Sequence, residues 1–471
     1  AITMGGLFGV TLKTDCVNDL FYGVDYHSHL GTRRGGMAVH SLQGFSRSIH
    51  NIENNYFRAK FEPDLPGFEG GCGIGVISDT EPQPLIIGSH LGAFGIVTVG
   101  RINNIEALIQ RAHGKRHHFS ETTGSGETNP TEMVAMLISE KDSFVAGIAK
   151  AQDIIEGSCS ILLLTADGLY AARDRLGRTP IVIGKKPGGY AAASESCAFS
   201  NLGYEIDRFL GPGEIALITP EGYQQLKAPG NRMQICAFLW VYYGYPASDY
   251  EDINVEVVRN RCGAALADND AAQIDCVAGI PDSGIGHAIG YANRKKAPYI
   301  RPFVKYTPTW PRSFMPQDQN MRDLVAQMKL IPVRKLIEGK RILFCEDSIV
   351  RGTQLKDNVQ ILFDVGAEEV HMRPACPTLI YPCEFLNFST SRSTLDLAGR
   401  KVINHLEAGR ETDISAYAEA GSDKNVQMVE TIRDELRLTS LKYQRLNDLV
   451  NAIGLPKAKL CTHCWDGSSY F

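Results

Sequence analysis

A short apolar run at 341–345 (RILFC) ends abruptly at two adjacent acidic residues, and a helical pattern follows it. Runs of this length are typical of buried strands, and the apolar spacing over 355–363 predicts a helix that stops at Gly366. A second apolar run at 274–280 also ends at a polar turn, and residues 369–374 resume as a strand. The order strand, loop, helix, strand predicts a parallel sheet with crossover helices. Ligands of such sheets bind beyond the carboxyl ends of the strands, where both polar turns lie.

The residues before about 230 follow a different pattern, in which short apolar runs alternate with glycine-rich turns. Such runs predict strands at 7–10, 93–100, 159–172, 180–184 and 214–222. Apolar spacing of three and four predicts helices at 105–113 and 130–141. We therefore predict an α+β domain over 5–230, followed by an α/β domain over 231–471.

Charge and composition exclude several classes of protein. The net charge of −5 argues against non-specific binding to nucleic acid or to a membrane surface. The compact basic cluster at 115–118 has no interleaved aromatic residues, so we interpret it as a solvated loop. We find no apolar run of the roughly 18 residues that a membrane helix needs, and no secretory signal pattern. We expect a cytoplasmic protein, in which the twelve cysteines stay reduced and are either buried or bind metal.

The loop after the strand at 341–345 carries groups that suit a phosphorylated sugar. Glu346 and Asp347 can accept hydrogen bonds from a pair of ribose hydroxyls, or hold a magnesium ion that bridges to pyrophosphate. The run from Ser348 to Thr353 then offers backbone N–H groups, hydroxyls and a glycine at the start of a helix, which suits a phosphate. An acidic helix cap is the alternative, but capping explains an Asp-Ser pair and not the whole run.

Two other nucleotide-binding patterns fit poorly. Gly284, Gly286 and Gly290 follow a strand and open a helix, as in a dinucleotide-binding fingerprint. The third glycine comes one position late, however, and no acidic residue occurs about 20 residues further on. A P-loop of the Gly-x4-Gly-Lys-Ser/Thr type is absent from the sequence. A nicotinamide enzyme and a nucleoside triphosphatase are therefore disfavoured.

The run ILFCEDSIVRGTQLK (342–356) closely resembles the signature for 5-phosphoribosyl 1-pyrophosphate (PRPP) in type I phosphoribosyltransferases, in the form found in amidophosphoribosyltransferases. Glu346 stands where that family has an aspartate, which keeps the charge. The resemblance covers nearly the whole chain, including 192–222, 277–292, 310–316 and 327–342. It implies a four-layer αββα domain of the N-terminal-nucleophile type, followed by a type I phosphoribosyltransferase domain with a parallel sheet.

The resemblance also implies the roles of individual residues. Magnesium would be held by Ser283, Glu346 and Asp347. Besides the two acidic residues, the catalytic set includes three cations that would neutralise the departing pyrophosphate under a closing loop: Lys305, Arg312 and Lys329. The groups that hold PRPP would be Asp282, Ser283, Ser348, Arg351, Gly352 and Thr353.

The first half resembles the family's glutaminase domain but lacks its catalytic groups. Processed family members begin with a cysteine whose thiol attacks the glutamine amide, and Gly5 stands at that place in the stretch GGLFGV. Three further family features are an arginine, an Asn-Gly oxyanion hole and an aspartate that holds the substrate amino group. They fall at or near Ser78, at Val99-Gly100 and at Pro130. Together the four changes predict a glutaminase domain that keeps its fold and has lost hydrolysis.

Two other thiols lie near Gly5 in the sequence, Cys16 and Cys72. Neither can be N-terminal, and we interpret both as structural. Met4 is the candidate natural first residue, which would make residues 1–3 an addition.

Cys461 and Cys464 form a Cys-x2-Cys pair, which by itself is a weak indication of a metal site. Some family members bind a [4Fe–4S] cluster through two isolated cysteines and one such pair, and Cys236 and Cys383 fall at the matching places. Four thiolates suit an iron–sulfur cluster or zinc about equally on chemistry alone, and the resemblance favours the cluster. Its role would be structural.

These observations lead to two hypotheses of different classes. The first is a transferase that forms 5-phosphoribosylamine for purine biosynthesis from PRPP and ammonia, which is free or supplied by a partner glutaminase. The second is a regulator that binds PRPP or a nucleotide without catalysis. A transferase with a different amine as acceptor is a third reading. The resemblance further implies nucleotide effectors and a homo-oligomer, either a dimer or a tetramer.

Overall fold

Residues 6–227 form two antiparallel sheets that stack face to face. The computed structural model describes residues 5–122, 126–268, 270–305, 330–386, 394–410 and 413–469. The strands of this first half are β1 (Gly6–Leu12), β2 (Arg34–Ser41), β3 (Gly44–Asn51), β4 (Cys72–Ser78), β5 (Leu85–Ser89), β6 (Gly92–Ile102), β7 (Gly157–Thr165), β8 (Gly168–Ala172), β9 (Val182–Lys186), β10 (Gly189–Ala193), β11 (Glu205–Phe209), β12 (Ile215–Thr219) and β13 (Gly222–Lys227). They form a seven-stranded sheet in the order β11-β9-β10-β1-β4-β2-β3 and a six-stranded sheet in the order β13-β12-β8-β7-β6-β5.

Helices cover the outer faces of both sheets. They are α1 (Val17–Asp25), α2 (Phe57–Phe61), α3 (Ile105–Gly114), α4 (Pro130–Ser139), α5 (Phe144–Ile154) and α6 (Cys197–Leu202), with 3-10 turns at Ser28–Leu30 and Glu62–Gly67. Neighbouring residues of β1 point to opposite faces, so Leu7 packs between the sheets and Phe8 packs under α1. In β6, Val97 packs between the sheets and Ile96 packs under α4 and α5. The predicted four-layer αββα arrangement is confirmed.

The second half is built on a parallel sheet. Its strands are β14 (Ile235–Cys236), β15 (Asp249–Tyr250), β16 (Ile253–Asn254), β17 (Cys276–Gly279), β18 (Phe303–Lys305), β19 (Leu330–Pro332), β20 (Arg341–Glu346), β21 (Glu369–Pro374), β22 (Ser440–Leu441) and β23 (Leu460–Cys461). The four-stranded sheet has the order β17-β20-β21-β22, and all its pairings are parallel. β14 pairs with β23 in parallel, while β15 with β16 and β18 with β19 form small antiparallel ribbons.

Helices connect and flank these strands. They are α7 (Val255–Asp268), α8 (Gly284–Lys295), α9 (Arg334–Ile337), α10 (Thr353–Val365), α11 (Ala398–Leu406), α12 (Ser415–Ala418), α13 (Asp423–Glu435), α14 (Leu446–Ile453) and α15 (His463–Asp466). A short π-helix covers Leu239–Tyr243, and 3-10 turns cover Thr394–Asp396 and Lys457–Lys459. The predicted parallel sheet with crossover helices is confirmed, and α10 ends at Gly366 in the left-handed conformation.

One predicted strand is in fact two. The apolar run at 159–172 forms the hairpin of β7 and β8, because a two-residue turn at Ala166-Asp167 interrupts it. The predicted domain boundary near 230 falls in the connection from β13 to β14, where residues 228–232 are exposed. The division into 5–230 and 231–471 stays a prediction.

The glycines of α8 explain why this stretch looks like a dinucleotide-binding fingerprint. A Cβ atom on Gly290 would lie 2.0 Å from Asn260 O of α7, and one on Gly286 would lie 2.7 Å from the Glu256 carboxylate. Only glycine permits α7 and α8 to approach so closely. These glycines therefore serve helix packing.

The two halves meet at Glu195, which is fully buried. Its carboxylate belongs to the first half and accepts hydrogen bonds from the second, from Tyr250 Oη, Ser248 Oγ and Tyr245 N. His29 Nε2 lies 2.8 Å from Glu195 Oε2. Burial alone would raise the pKa of Glu195, but the charge and hydrogen bond of His29, together with the Tyr250 hydrogen bond and the charge of His27, outweigh it and lower that pKa to about 2. Glu195 thus joins the halves as a buried anion with partners on both sides.

Candidate functional site

The carboxyl ends of β17 and β20 lie side by side at one edge of the parallel sheet. β20 ends at Glu346 and Asp347 follows, while β17 leads into the turn that carries Asp282 and Ser283. The Ser283 hydroxyl donates to Asp347 Oδ2 at 2.5 Å, so the two turns are joined directly. The structure therefore brings together the three residues that the sequence predicts around magnesium.

Glu346 and Asp347 are adjacent carboxylates in a site that little water reaches. Asp347 N donates to Glu346 Oε1 at 3.0 Å, and Ser348 Oγ donates to Asp347 Oδ1 at 2.5 Å. Burial raises the pKa of Glu346 well above its usual value, and the charge of Asp347 raises it further. Burial also raises the pKa of Asp347, against the hydroxyls of Ser283 and Ser348. Two crowded carboxylates of this kind gain from a cation with a preference for oxygen ligands, as Mg²⁺ has.

Lys305 lies at the mouth of this site. It is the last residue of β18, and its Nζ atom lies 2.5 Å from Asp282 Oδ2. This places a cation beside the Asp282-Ser283 turn, in keeping with its predicted role near pyrophosphate. The two other predicted cations, Arg312 and Lys329, lie outside the described residues.

The predicted phosphate loop, 348–353, runs from the acidic pair into α10. Gly352 has a φ of 76°, in the left-handed region that favours glycine, and α10 begins at the next residue, Thr353. The first N–H groups of a helix have no partners within the helix, so they can bind an anion. The Arg351 side chain is more than half exposed, and its Nη2 atom lies 3.6 Å from Asp396 Oδ2. The structure thus places backbone N–H groups next to the acidic pair, while the Arg351 side chain lies beside Asp396.

Arg259 is a buried cation near this site that the sequence interpretation missed. Its guanidinium donates to the carbonyl oxygens of Trp240, Tyr242 and Gly244. Its charge lowers the pKa of Asp347, although the effect of burial on that carboxyl is larger. A sequence signal existed, because Arg259 lies on the buried face of α7, between Val255 four positions before it and Cys262 three positions after it, which are both buried.

The four predicted cluster cysteines line one pocket. Cys236 lies opposite Cys461 in the pairing of β14 with β23, and Cys383 and Cys464 complete the set. The other lining residues are Arg178, Phe238, Phe385, Leu386, His463 and Trp465. A hydrogen bond with Cys464 lowers the pKa of the Cys383 thiol to about 7, whereas burial raises the pKa of Cys236. Residues far apart in the sequence are thereby brought to one place.

The four thiols line the walls of their pocket. Across the described residues, we find no group of three or more His, Cys, Asp or Glu side chains arranged to hold a metal ion. A single zinc ion needs four ligands converging at about 2.3 Å from it. In a [4Fe–4S] cluster, by contrast, each cysteine binds a different iron, so the ligands line the walls of a cavity. Four thiols around one pocket are compatible with this second arrangement.

The corner of the first half where a nucleophile was expected is filled by other atoms. Gly5 has a φ of 79°, and its N–H donates to Leu30 O at 2.9 Å. A Cβ atom at this position would lie 3.0 Å from Ile77 O and 3.1 Å from Val99 Cγ2. Gly5 and Val99, two of the positions that depart from the family, are therefore neighbours in space.

The other departing positions lie close by. Ser78 follows Ile77 and is buried, and its hydroxyl lies 3.2 Å from Thr80 Oγ1. Pro130 begins α4, and the next residue, Thr131, shares a hydrogen bond of 2.7 Å with Thr98 next to Val99. Gly100 has a φ of 141°, and a Cβ atom there would lie 1.9 Å from Ser158 O. The corner is thus internally hydrogen-bonded and apolar at its centre.

Known proteins resemble both halves of the chain. Residues 73–201 match the family model of a glutamine amidotransferase domain. The chain is 30% identical to the amidophosphoribosyltransferase of Methanothermobacter thermautotrophicus, over 98% of this chain and 93% of that protein. It is 32% identical to the amidophosphoribosyltransferase of Archaeoglobus fulgidus, over 71% of this chain and 73% of that protein. The chain belongs to the amidophosphoribosyltransferase family.

The fold agrees with this family. The solved structure of the glutamine PRPP amidotransferase from Bacillus subtilis, complexed with ADP and GMP, superimposes with a TM-score of 0.84 and 26% identity. The match covers 99% of this chain and 97% of that one. The predicted fold class and the predicted enzyme class, an amidophosphoribosyltransferase of purine biosynthesis, are confirmed at the level of the family.

The sequence has no apolar run of the length that a membrane helix needs. Among the helices that the structure describes, each is too short or too polar to span a bilayer.

The two thiols nearest Gly5 in the sequence are enclosed by protein: Cys16 is buried and Cys72 is partly buried in the first half. Burial raises the pKa of both thiols, to about 11 for Cys72, which disfavours the nucleophilic thiolate.

Proposed function

We propose that this amidophosphoribosyltransferase transfers the phosphoribosyl group of PRPP to ammonia, forming 5-phosphoribosylamine. The observation that supports this most strongly is the hydrogen bond between Ser283 and Asp347, which unites the turns after two neighbouring parallel strands. Such a union places carboxylates, a hydroxyl and the N–H groups of α10 around one small volume. That set of groups suits a ribose phosphate with a magnesium ion.

In the proposed reaction the bond from C1 of the ribose to pyrophosphate breaks, and its electron pair leaves with pyrophosphate. The lone pair of ammonia forms the new C1–N bond, and the resulting ammonium group loses a proton. Magnesium, when bound by Ser283, Glu346 and Asp347, would neutralise charge on the departing pyrophosphate. Lys305 would add a second positive charge beside Asp282, and loop 348–353 would hold the 5-phosphate.

We also propose that the first half does not hydrolyse glutamine itself. Gly5 offers no nucleophilic atom, and Val99 places methyl groups where an amide donor is expected. The match to a glutamine amidotransferase domain describes the fold that carries the site, whereas hydrolysis depends on the residues at these positions. Loss of one oxyanion-hole donor typically slows such reactions by about a hundredfold or more.

One experiment tests both proposals. Pyrophosphate release from PRPP is measured with ammonium ions, with glutamine and with neither, and glutamate release is measured in parallel. We expect turnover with ammonium ions only. Glutamate release at the rate of pyrophosphate release would overturn the loss of hydrolysis. Binding of PRPP without turnover under all three conditions would overturn the transferase in favour of a binding regulator.

We further propose a [4Fe–4S] cluster at Cys236, Cys383, Cys461 and Cys464, with a structural role. The convergence of these thiols on one pocket supports a metal centre there, and the resemblance to cluster-binding family members favours a cluster over zinc. The cluster would fasten β23 and α15 to β14 at the junction of the halves. Anaerobic purification should give a brown protein with about four iron and four sulfide per chain. Stoichiometric zinc in a colourless protein would contradict the cluster.

We make three further proposals, on the domain boundary, the nucleotide effectors and the oligomeric state of this protein. Exposure of residues 228–232 supports a division into domains 5–230 and 231–471, which limited trypsin digestion at Arg232 tests by producing two fragments. Because a related structure was solved with ADP and GMP, we propose nucleotide effectors, to be tested by inhibition of pyrophosphate release. A homo-oligomer, either a dimer or a tetramer, is tested by light scattering of the eluting protein.

A further inference from the structure

Arg178 is a fully buried arginine of the first half that lines the cysteine pocket of the second half. Its Nη2 atom donates to Gln234 Oε1 at 2.9 Å, and its Nη1 atom donates to Gly157 O at 3.3 Å. Its guanidinium carbon lies 3.7 Å from the centre of the Phe385 ring. Its side chain also hydrogen-bonds with the Cys461 thiol. A permanent positive charge is thus held rigidly against the cysteines.

The backbone around Arg178 also holds the cysteines in place. Cys236 N donates to Arg178 O at 3.2 Å, and Gln234 N donates to Leu176 O at 2.7 Å. The segment that carries Cys236 is therefore bound to the first half on one side. On its other side it pairs with β23, where Ala237 N donates to Cys461 O at 3.2 Å.

A second contact reaches Cys383. Arg101 Nη1, from the end of β6, donates to Cys383 O at 3.1 Å, and Asn103 Nδ2 donates to Glu384 O at 2.6 Å. Two arginines of the first half therefore touch the segments that carry three of the four cysteines. The contacts come from separate places in the first half, one at the end of β6 and one after β8.

We propose that the metal centre is assembled across the junction of the halves, with Arg178 as the fixed counter-charge of its thiolates and Arg101 as a weaker second one. This inference rests on the proposed metal at the four cysteines. Four thiolates give a bound cluster a net negative charge, which is unfavourable in a buried pocket. A buried guanidinium offsets that charge and donates to sulfur, and both effects raise the reduction potential of a cluster and slow the loss of metal. The glutaminase-like half then retains a task that is independent of glutamine.

The test uses the full chain, purified without oxygen, and compares five proteins. They are the wild type and the variants Arg178→Met, Arg178→Lys, Arg101→Met and Arg175→Met. Arg175 is an exposed arginine of the same loop as Arg178, so its variant controls for loss of a surface charge. The readouts are metal content, midpoint potential by dye-mediated titration, and the rate at which a chelator removes the metal.

We expect Arg178→Met to lower the midpoint potential and to speed metal loss about tenfold, the usual size of such outer-sphere effects. Arg101→Met should shift both quantities in the same direction by less, and Arg175→Met should match the wild type. Arg178→Lys keeps a cation and should lie between Arg178→Met and the wild type. If Arg178→Met does not fold, Arg178→Lys and the exposed Arg101→Met decide the matter.

The outcomes separate this inference from the one on which it rests. A wild type without stoichiometric iron or zinc overturns the metal centre and this inference together. A metal-loaded wild type whose Arg178→Met and Arg101→Met variants keep its potential and its rate of metal loss overturns the counter-charge alone. Zinc in place of iron leaves the chelator assay decisive for Arg178 while contradicting the cluster.

Discussion

The acidic pair at the edge of the parallel sheet and the corner beside Gly5 differ in chemical character. At the edge of the parallel sheet, Glu346 and Asp347 lie side by side, and burial raises the pKa of both. Next to β1, a Cβ atom on Gly5 would meet the backbone of Ile77 and the methyl groups of Val99. The first corner crowds two carboxyl groups whose anionic forms burial disfavours. The second is filled by apolar side chains and internal hydrogen bonds.

The difference indicates which corner is maintained for chemistry. A crowded pair of carboxylates is unfavourable for folding unless a ligand or cation uses it, so its presence points to binding. An apolar, hydrogen-bonded corner stabilises the fold and requires no ligand. The same contrast separates the second half, proposed to react with PRPP, from the first, proposed to act as a scaffold.

The comparison is tested most strongly by Asp347→Asn. Removing this charge takes away a proposed magnesium ligand, so pyrophosphate release with ammonium ions should fall by about a thousandfold. Asp364→Asn, at the exposed far end of α10, is the matched control and should keep wild-type turnover. Equal activity of the two variants would remove the acidic pair from the reaction.

The buried His27, close to Gly5 in the fold, predicts that the stability of the protein depends on pH. His27 lies against Gly6, and burial lowers its pKa to about 4, below the usual 6.5. The unfolded chain therefore binds a proton first, and stability present above pH 6.5 is lost as the pH falls toward 4. The loss from His27 has an upper value of about 3 kcal/mol. Urea unfolding of His27→Gln should show a flatter profile over this window, whereas exposed His405→Gln should follow the wild type.

A substitution at Gly5 tests whether the missing nucleophile can be restored. Gly5→Cys places a Cβ atom against Ile77 O and Val99 in a left-handed conformation, so stability should fall by about 1–2 kcal/mol. Glutamate release should stay at background, because Val99 and Pro130 still occupy their places. Gly188→Cys is the control, since Gly188 also has a positive φ but open space around it. Glutaminase activity in Gly5→Cys would show that the corner is intact except for one atom.

The smallest expected effect is at Lys305. Its ion pair with Asp282 is partly exposed, so Lys305→Gln should change stability little. Loss of one positive charge near pyrophosphate should raise the KM for PRPP about threefold. Lys401→Gln, at another exposed ion pair, is the control and should leave the KM unchanged. An unchanged KM in Lys305→Gln would place this cation outside the substrate site.

The sequence predicted the parts of the site that follow strand ends, because such positions depend on local patterns. Asp282, Ser283, Glu346 and Asp347 are of this kind, and the topology of a parallel sheet brings them together. The sequence did not reveal the position of Arg259, because its guanidinium binds backbone carbonyls of the short π-helix Leu239–Tyr243, which no sequence pattern predicts. Arg178 was missed because its partners lie in another half of the chain. The hairpin within 159–172 was missed because a two-residue turn leaves a short signal.

The pairing of β14 with β23 sets an order of events during synthesis. Ile235 and Cys236 emerge from the ribosome long before Leu460 and Cys461, so the earlier strand waits without its partner. Until residues 460–464 arrive, the segments that carry Cys236 and Cys383 lack this partner, and contacts with the first half, among them those with Arg178 and Arg101, hold them. The folded first half can therefore act as a template on which the later segment closes.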